Sequence, residues 1–256
     1  MEERGLCPSR SQAQGEIRAG NVLVDGQQVD KPGASVPEGA KIELRKGPRY
    51  VGRGGLKLEG ALRAFKIDVR GKTVIDIGAS TGGFTDCLLQ HGAKRVWAVD
   101  VGYGQLAWKL RQDERVAVLE RVNARYLKLA DIGERADLAT IDVSFISLKR
   151  IIPPLLAIVK EGGDIITLVK PQFEAGRARV RRGVVRDPEE HLEVLEDLSC
   201  FIGEELKLSI LGATCSPIKG PKGNIEFFFH LRNAPGIQQA IDLARVVREA
   251  HAHFGR

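Results

Sequence analysis

The chain has 256 residues, 43% of them hydrophobic, with 39 Lys and Arg against 33 Asp and Glu for a net charge of +6. Length and apolar content provide for one large α/β domain plus a small accessory module and exclude a disordered tail. The charge suits an anionic partner or an ordinary basic surface. No apolar run approaches the roughly 18 residues a membrane crossing needs, and the start MEERGLCPSR is too polar for a signal peptide. A soluble cytoplasmic protein with no membrane partner and no obligate protein partner is expected. Cys7, Cys87, Cys200 and Cys215 are widely spaced and form no CxxC pair, which points away from zinc and toward unpaired thiols in a reducing compartment. No metal site is expected.

In chain order, SRSQAQGEIRAG reads as a short helix. In NVLVDGQQVDKPGASVPEGAKIEL, Val22, Val24 and Val29 flank Asp25-Gly26, a tight-turn pair between β-rich runs. Residues 1–44 thus form a small α-then-β module. The stretch RKGPRYVGRGG, residues 45–55, gathers cations and glycines around one proline and reads as a basic linker. GGLKLEGALRAF is helical. From Thr73 apolar strands alternate with helical segments: TVIDIG, RVWAVD, VAVLE, DLATIDVS, DIITLVK, LSILGAT and NIEFFFHL. That rhythm predicts a parallel sheet covered by helices on both faces. Spacing alone leaves the direction of the last strand open, and there is no internal repeat. Residues 236–254, GIQQAIDLARVVREAHAHF, read as a surface helix, with His251 and His253 solvated.

VIDIGASTGGFTDCLLQHG joins a strand, a glycine-rich turn and a helix beginning near Phe84. Glycines there let backbone approach a ligand while the helix N-terminus offers free N–H groups. Asp100 ends the next strand, placed to grip a ribose diol. A dinucleotide fingerprint would need a second glycine where Ser80 stands. Asp76, inside the strand, disfavours a diphosphate and suits a cofactor with a cationic amino-acid tail, so S-adenosyl-L-methionine is the expected ligand. Its expected contacts are Asp76, Gly78, Ala79, Ser80, Thr81, Gly82, Gly83, Phe84, Asp100, Val101 and Asp142. Asn123, after the third strand, either reads the adenine edge or is a turn residue.

Lys170 closes the apolar run of GGDIITLVKPQFE, where a lysine either snorkels to solvent or serves the site. Asp142 ends the neighbouring strand, and ligands bind at that edge of open α/β sheets. Lys57 and Glu226 can converge on the same place. Two lysines and two acids would stabilise little as a buried network, so function explains them better.

In that order, Lys57, Asp142, Lys170 and Glu226 match the Lys-Asp-Lys-Glu tetrad of the FtsJ-like RNA ribose 2′-O-methyltransferases. More closely, GRGGLKLEGAL, DIGASTGGFTD, AVDVGYGQLAWKLR, LERVNAR, DVSFISL, LVKPQFE and GNIEFFFHLR resemble the TlyA (hemolysin A-like) family over nearly the whole chain. The resemblance implies a Rossmann-like S-adenosylmethionine-dependent methyltransferase sheet over 56–256 and a small N-terminal S4-like α+β RNA-binding module over 1–44. The S4 pattern is entered inside its first helix, at Arg4-Gly5-Leu6, so the module is expected to be trimmed or to start upstream. It further implies a ribosomal RNA target at a cytidine 2′-hydroxyl, with Lys170 as base or as orienting cation, Glu226 holding Lys57, and Lys57 fixing the ribose. Between Lys170 and Arg186 six cations face one carboxylate, Glu174, a net +5 that suits phosphates. Arg177, Arg179, Arg181 and Arg182, together with Arg4, Arg10, Arg18, Arg49 and Arg53, are the expected RNA contacts. A membrane-lytic protein would need a long apolar or strongly amphipathic segment. A non-catalytic assembly factor would have an eroded tetrad, and this one is intact.

Overall fold

The computed structural model describes residues 1–7, 9–18, 21–44, 48–176, 183–236 and 241–255. It divides into two compact units, Met1–Arg49 and Tyr50–Arg256.

The smaller unit carries helix α1 (Arg10–Arg18) and an antiparallel sheet in the order β2-β1-β3, formed by β1 (Val22–Val24), β2 (Gln27–Val29) and β3 (Ile42–Leu44). Asp25 and Gly26 both have positive φ, 50° and 80°, as a two-residue hairpin turn matching the strand twist requires. The Asp25 carboxylate accepts from Lys41 N–H at 2.8 Å. Cys7, Ala13, Val22 and Ala40 are its buried apolar residues.

The larger unit opens with α2 (Gly54–Phe65) and continues through β4 (Thr73–Ile77), α3 (Gly83–Gln90), β5 (Arg95–Val99), α4 (Trp108–Arg111), β6 (Val116–Leu119), α5 (Leu129–Ile132), β7 (Ala136–Ile141) and α6 (Ile152–Leu155). Then come β8 (Val159–Val169), α7 (Pro171–Glu174), α8 (Pro188–Cys200), β9 (Ser209–Cys215), β10 (Phe227–Arg232) and α9 (Leu243–Phe254). The sheet order is β6-β5-β4-β7-β8-β10-β9; β10 is antiparallel to both neighbours and the pairs from β6 to β8 are parallel. Successive side chains leave a strand on opposite faces. Accordingly Ile75, Ile77, Phe227 and Phe229 enter one core layer, while Val74, Leu138, Leu168 and Phe228 enter the other.

Three expectations change. The connections α4, α5 and α6 are single turns rather than full covering helices; Gly133 at φ 81° stops α5. Residues 50–55, expected as linker, belong to the larger unit: Tyr50 is 2% exposed and Val51 N–H donates to Asp86 at 2.8 Å. His251, expected in solvent, meets the buried His191 at 2.8 Å, because α9 packs Val246, Val247 and Ala250 inward; His253 is exposed. Among the described residues no helix is long and apolar enough to cross a membrane.

Phe228 is fully buried, and its layer also holds Phe84, whose ring centroid is 6.2 Å away. Replacing it with alanine should cost about 3–5 kcal/mol, read as a lower denaturant midpoint with an unchanged slope.

Candidate active site

The carboxyl ends of β4, β5, β7 and β8 deliver the glycine turn, Asp100, Asp142 and Lys170 to one edge. Because β10 runs the other way with Phe227 opposite Val169, its first end reaches that edge too, and Glu226 immediately precedes it.

The turn after β4 is shaped by close approach. Gly78 has φ 84°, and a Cβ there would lie 2.4 Å from the Asp142 carbonyl oxygen, so only glycine fits. The Asp100 carboxylate is fixed through both oxygens, by Ser80 N–H at 2.8 Å and Gly102 N–H at 2.7 Å. Beside it opens a cleft of about 450 Å³. Of the expected cofactor residues, Gly78, Ser80, Asp100, Val101, Asn123 and Asp142 line it. Asn123 also has its turn role, since its side-chain oxygen accepts from Arg125 N–H at 3.1 Å. The lining suits a nucleoside: apolar walls from Ile77, Val99 and Val122 with one oriented carboxylate.

Ala79, Thr81, Gly82, Gly83 and Phe84 do not line this cleft. They form its frame. A Cβ on Gly52 would meet Thr81 Oγ1 at 2.7 Å, and one on Gly83 would meet Gly55 N at 2.9 Å. Asp76 is the main correction. It was expected to face the cofactor, but it is fully buried and accepts from Thr85 Oγ1 at 2.7 Å and Thr140 Oγ1 at 2.9 Å. Burial pushes its pKa up to about 7, with Asp142 acting in the same direction. It supports the turn from beneath.

The four expected catalytic residues form two ion pairs. Lys57 on α2 is 7% exposed and donates to Glu226, itself fully buried, at 2.6 Å. Lys170 Nζ lies 2.5 Å from Asp142 Oδ1 and donates to Ser144 Oγ at 3.1 Å. The Asp142 contact is an ion pair without hydrogen-bond alignment, since that oxygen has no hydrogen-bonding partner. Gly54, at the start of α2, brings the two pairs' supports together: a Cβ there would sit 3.8 Å from Asp142 Oδ2.

Two neighbours were missed in the sequence. Gln172 on α7 donates to Glu226 at 3.5 Å. Phe145 is 90% exposed at φ 63°, its ring 4.8 Å from Phe173; a bulky residue held at positive φ is a marked departure from ordinary backbone. Glu174 keeps that loop in place by accepting from Leu148 N–H at 2.9 Å. An aromatic three residues beyond a strand-end acid was the available signal.

The expected RNA-facing arginines divide. Arg10, Arg18 and Arg49 are exposed. Arg4 is spent within its own unit, donating to the carbonyls of Ala40, at 2.7 Å, and Glu38. Arg53 donates to the Lys219 carbonyl at 2.7 Å. Arg177, Arg179, Arg181 and Arg182 lie outside the described residues.

The FtsJ-like methyltransferase family model matches residues 50–233, and the S4 domain model matches residues 1–42. The chain is 50% identical over 260 residues to YqxC of Bacillus subtilis (strain 168), covering 98% of this chain and 92% of that one. It is 45% identical over 254 residues to the 16S/23S rRNA (cytidine-2′-O)-methyltransferase TlyA of Mycobacterium tuberculosis (strain ATCC 25618 / H37Rv), covering 95% and 94%. A solved structure from Streptococcus thermophilus, 46% identical, superposes with a TM-score of 0.79 over 99% of this chain and 94% of that one.

The buried Asp76 yields a pH prediction. Its pKa is raised from an ordinary 3.8 to about 7 on folding, so the stability it contributes is complete below about pH 4 and lost as pH rises through about 7. Asp76→Asn should therefore gain stability relative to wild type across that window, by about 4 kcal/mol, in urea unfolding at pH 4 and pH 8.

Proposed function

The chain belongs to the FtsJ-like methyltransferase family and carries an S4 domain, and from that premise we propose that it methylates the ribose 2′-hydroxyl of a cytidine in ribosomal RNA, in the cytoplasm. The methyl donor is S-adenosyl-L-methionine, which when bound supplies an electrophilic methyl group on a sulfonium. The observation that carries the reading is the pairing of Lys170 with Asp142 beside a nucleoside-sized cleft.

Gly78, Ser80 and Asp100 would hold the donor, the Asp100 carboxylate keeping lone pairs for a ribose diol beyond its two backbone bonds. Methyl transfer then needs the 2′-oxygen held in line and relieved of its proton. An ammonium group has three N–H donors. Lys170 directs one to Ser144 and is ion-paired with Asp142, and its remaining donors can orient the 2′-hydroxyl and stabilise charge developing on its oxygen. Asp142 is the adjacent carboxylate that can take the proton as the oxygen–carbon bond forms. Lys57, anchored by Glu226, fixes the ribose. Phe145, exposed beside Ser144, offers a face to the target base. Affinity for the RNA comes from the S4 domain and from the basic stretch ending at Arg186.

Lys170→Ala should abolish methyl transfer in single-turnover assays while calorimetric cofactor affinity stays within a few fold. Lys170→Arg keeps charge and donors but cannot release a proton near neutrality, so partial activity is expected from an orienting role. Full activity of Lys170→Ala would remove the assignment. Asp100→Ala should weaken cofactor binding at least tenfold. Ribose-methylation mapping of ribosomal RNA from cells with and without the gene should show a cytidine 2′-O-methyl group that disappears; an unchanged map would end the ribosomal reading.

A further inference from the structure

A second cavity, of about 300 Å³, opens between the segment before α8, the loop before β10 and the end of α9. Arg186, Lys219, Lys222 and His251 supply its charged or protonatable lining, with Val185, Ile225 and Phe254 as apolar walls, and no acidic residue is among the described residues lining it. Arg186, Lys219 and Lys222 give the cavity a positive lining that suits an anion.

The loop that brings them is built rather than loose. Asn224, 2% exposed, accepts from Val185 N–H at 3.2 Å and donates to the carbonyls of Gly183 and Pro221, each at 3.0 Å. Arg53 holds the Lys219 carbonyl at 2.7 Å, and Lys219 Nζ donates to the Phe254 carbonyl at 3.0 Å. Lys222 is kept at φ 57°, a conformation of the kind that persists where the surroundings over-determine it. Behind the cavity His251 is bonded to His191.

Position identifies the anion. The same loop that presents Lys219 and Lys222 packs against the catalytic carboxylate: a Cβ on Gly220 would fall 2.0 Å from Glu226 Oε1. Ile225, a wall of the cavity, is the residue before Glu226. Arg186 ends the basic segment that begins at Lys170. The cavity therefore lies across one short loop from the Lys57–Glu226 pair, where the strand flanking a bound ribose would carry its next phosphates. We propose that it holds a backbone phosphate of the RNA near the methylated nucleotide, with Arg186 and Lys222 as principal contacts and Lys219 as support. This inference rests on the RNA reading above.

The test uses the full chain carrying Arg186→Gln and Lys222→Gln together, which leaves Lys219 and its bond to α9 intact. Binding to ribosomal RNA should weaken about tenfold, and the slope of log affinity against log salt should fall by about one, with thermal midpoint and calorimetric cofactor affinity unchanged. In an RNA fragment bearing the methylated nucleotide, a single neutral methylphosphonate scanned through the neighbouring phosphates should weaken wild type at one position and have no effect there on the double variant. Wild-type RNA affinity and salt slope in the double variant would overturn the inference. So would inorganic phosphate that binds wild type and not the variant while both bind RNA equally, since the cavity would then serve a free anion. If wild type itself neither binds nor methylates ribosomal RNA, the substrate reading falls and takes this inference with it; failure of the double variant alone leaves that reading standing.

Discussion

The register of β10 on β8 is the constraint on which the site depends. With Phe227 opposite Val169 and Phe228 opposite Leu168, the three consecutive phenylalanines place two rings in one core layer and one in the other. Slipping the pairing by one residue would exchange those faces, exposing the packing of both layers to mismatch. The same register sets Glu226 just beyond the end of β8, where it can meet Lys57. Core packing thus fixes the position of Glu226, and the antiparallel direction is essential, since a parallel strand would carry it to the opposite edge.

The arm ahead of α2 illustrates how composition misleads. Arg, Gly and Pro in RKGPRYVGRGG suggest a linker, yet Gly52, Gly54 and Gly55 all make close contacts. A Cβ on Gly55 would fall 2.3 Å from the Tyr50 ring, and one on Gly54 3.3 Å from Phe84. Asp86 on α3 ties the arm and α4 together, accepting from Val51 N–H at 2.8 Å and from Lys109 at 2.9 Å. Glycine gives both flexibility and closeness, and only the partner surface tells which is used.

Strand ends were legible because an acid or lysine closing an apolar run has one place to go. Asp100, Asp142 and Lys170 follow that logic. Asp76 does not, although the information was there: it lies two positions before Gly78, on the face opposite Ile75 and Ile77, and it pairs in register with Thr140. Strand alternation places its side chain beneath α3 rather than at the tip. His251 was misread for a different reason. Its neighbour His191 is 60 residues away on another helix, and no local pattern reveals such a pair. Phe145 depends on a backbone angle that residue type does not announce.

The charges of the site also explain its division of labour. Lys57 with Glu226 and Lys170 with Asp142 are two neutral pairs, so this cluster itself has little net attraction for a polyanion. Buried pairs of this kind repay little of their desolvation, so they are a poor source of stability. Long-range attraction must then come from groups that stay solvated, where counterion release on meeting phosphate is available. Arg186, Arg10 and Arg18, each exposed, are of that type. Neutral pairs inside and excess cations in solvent separate the attraction for an anion from the geometry of the sheet edge.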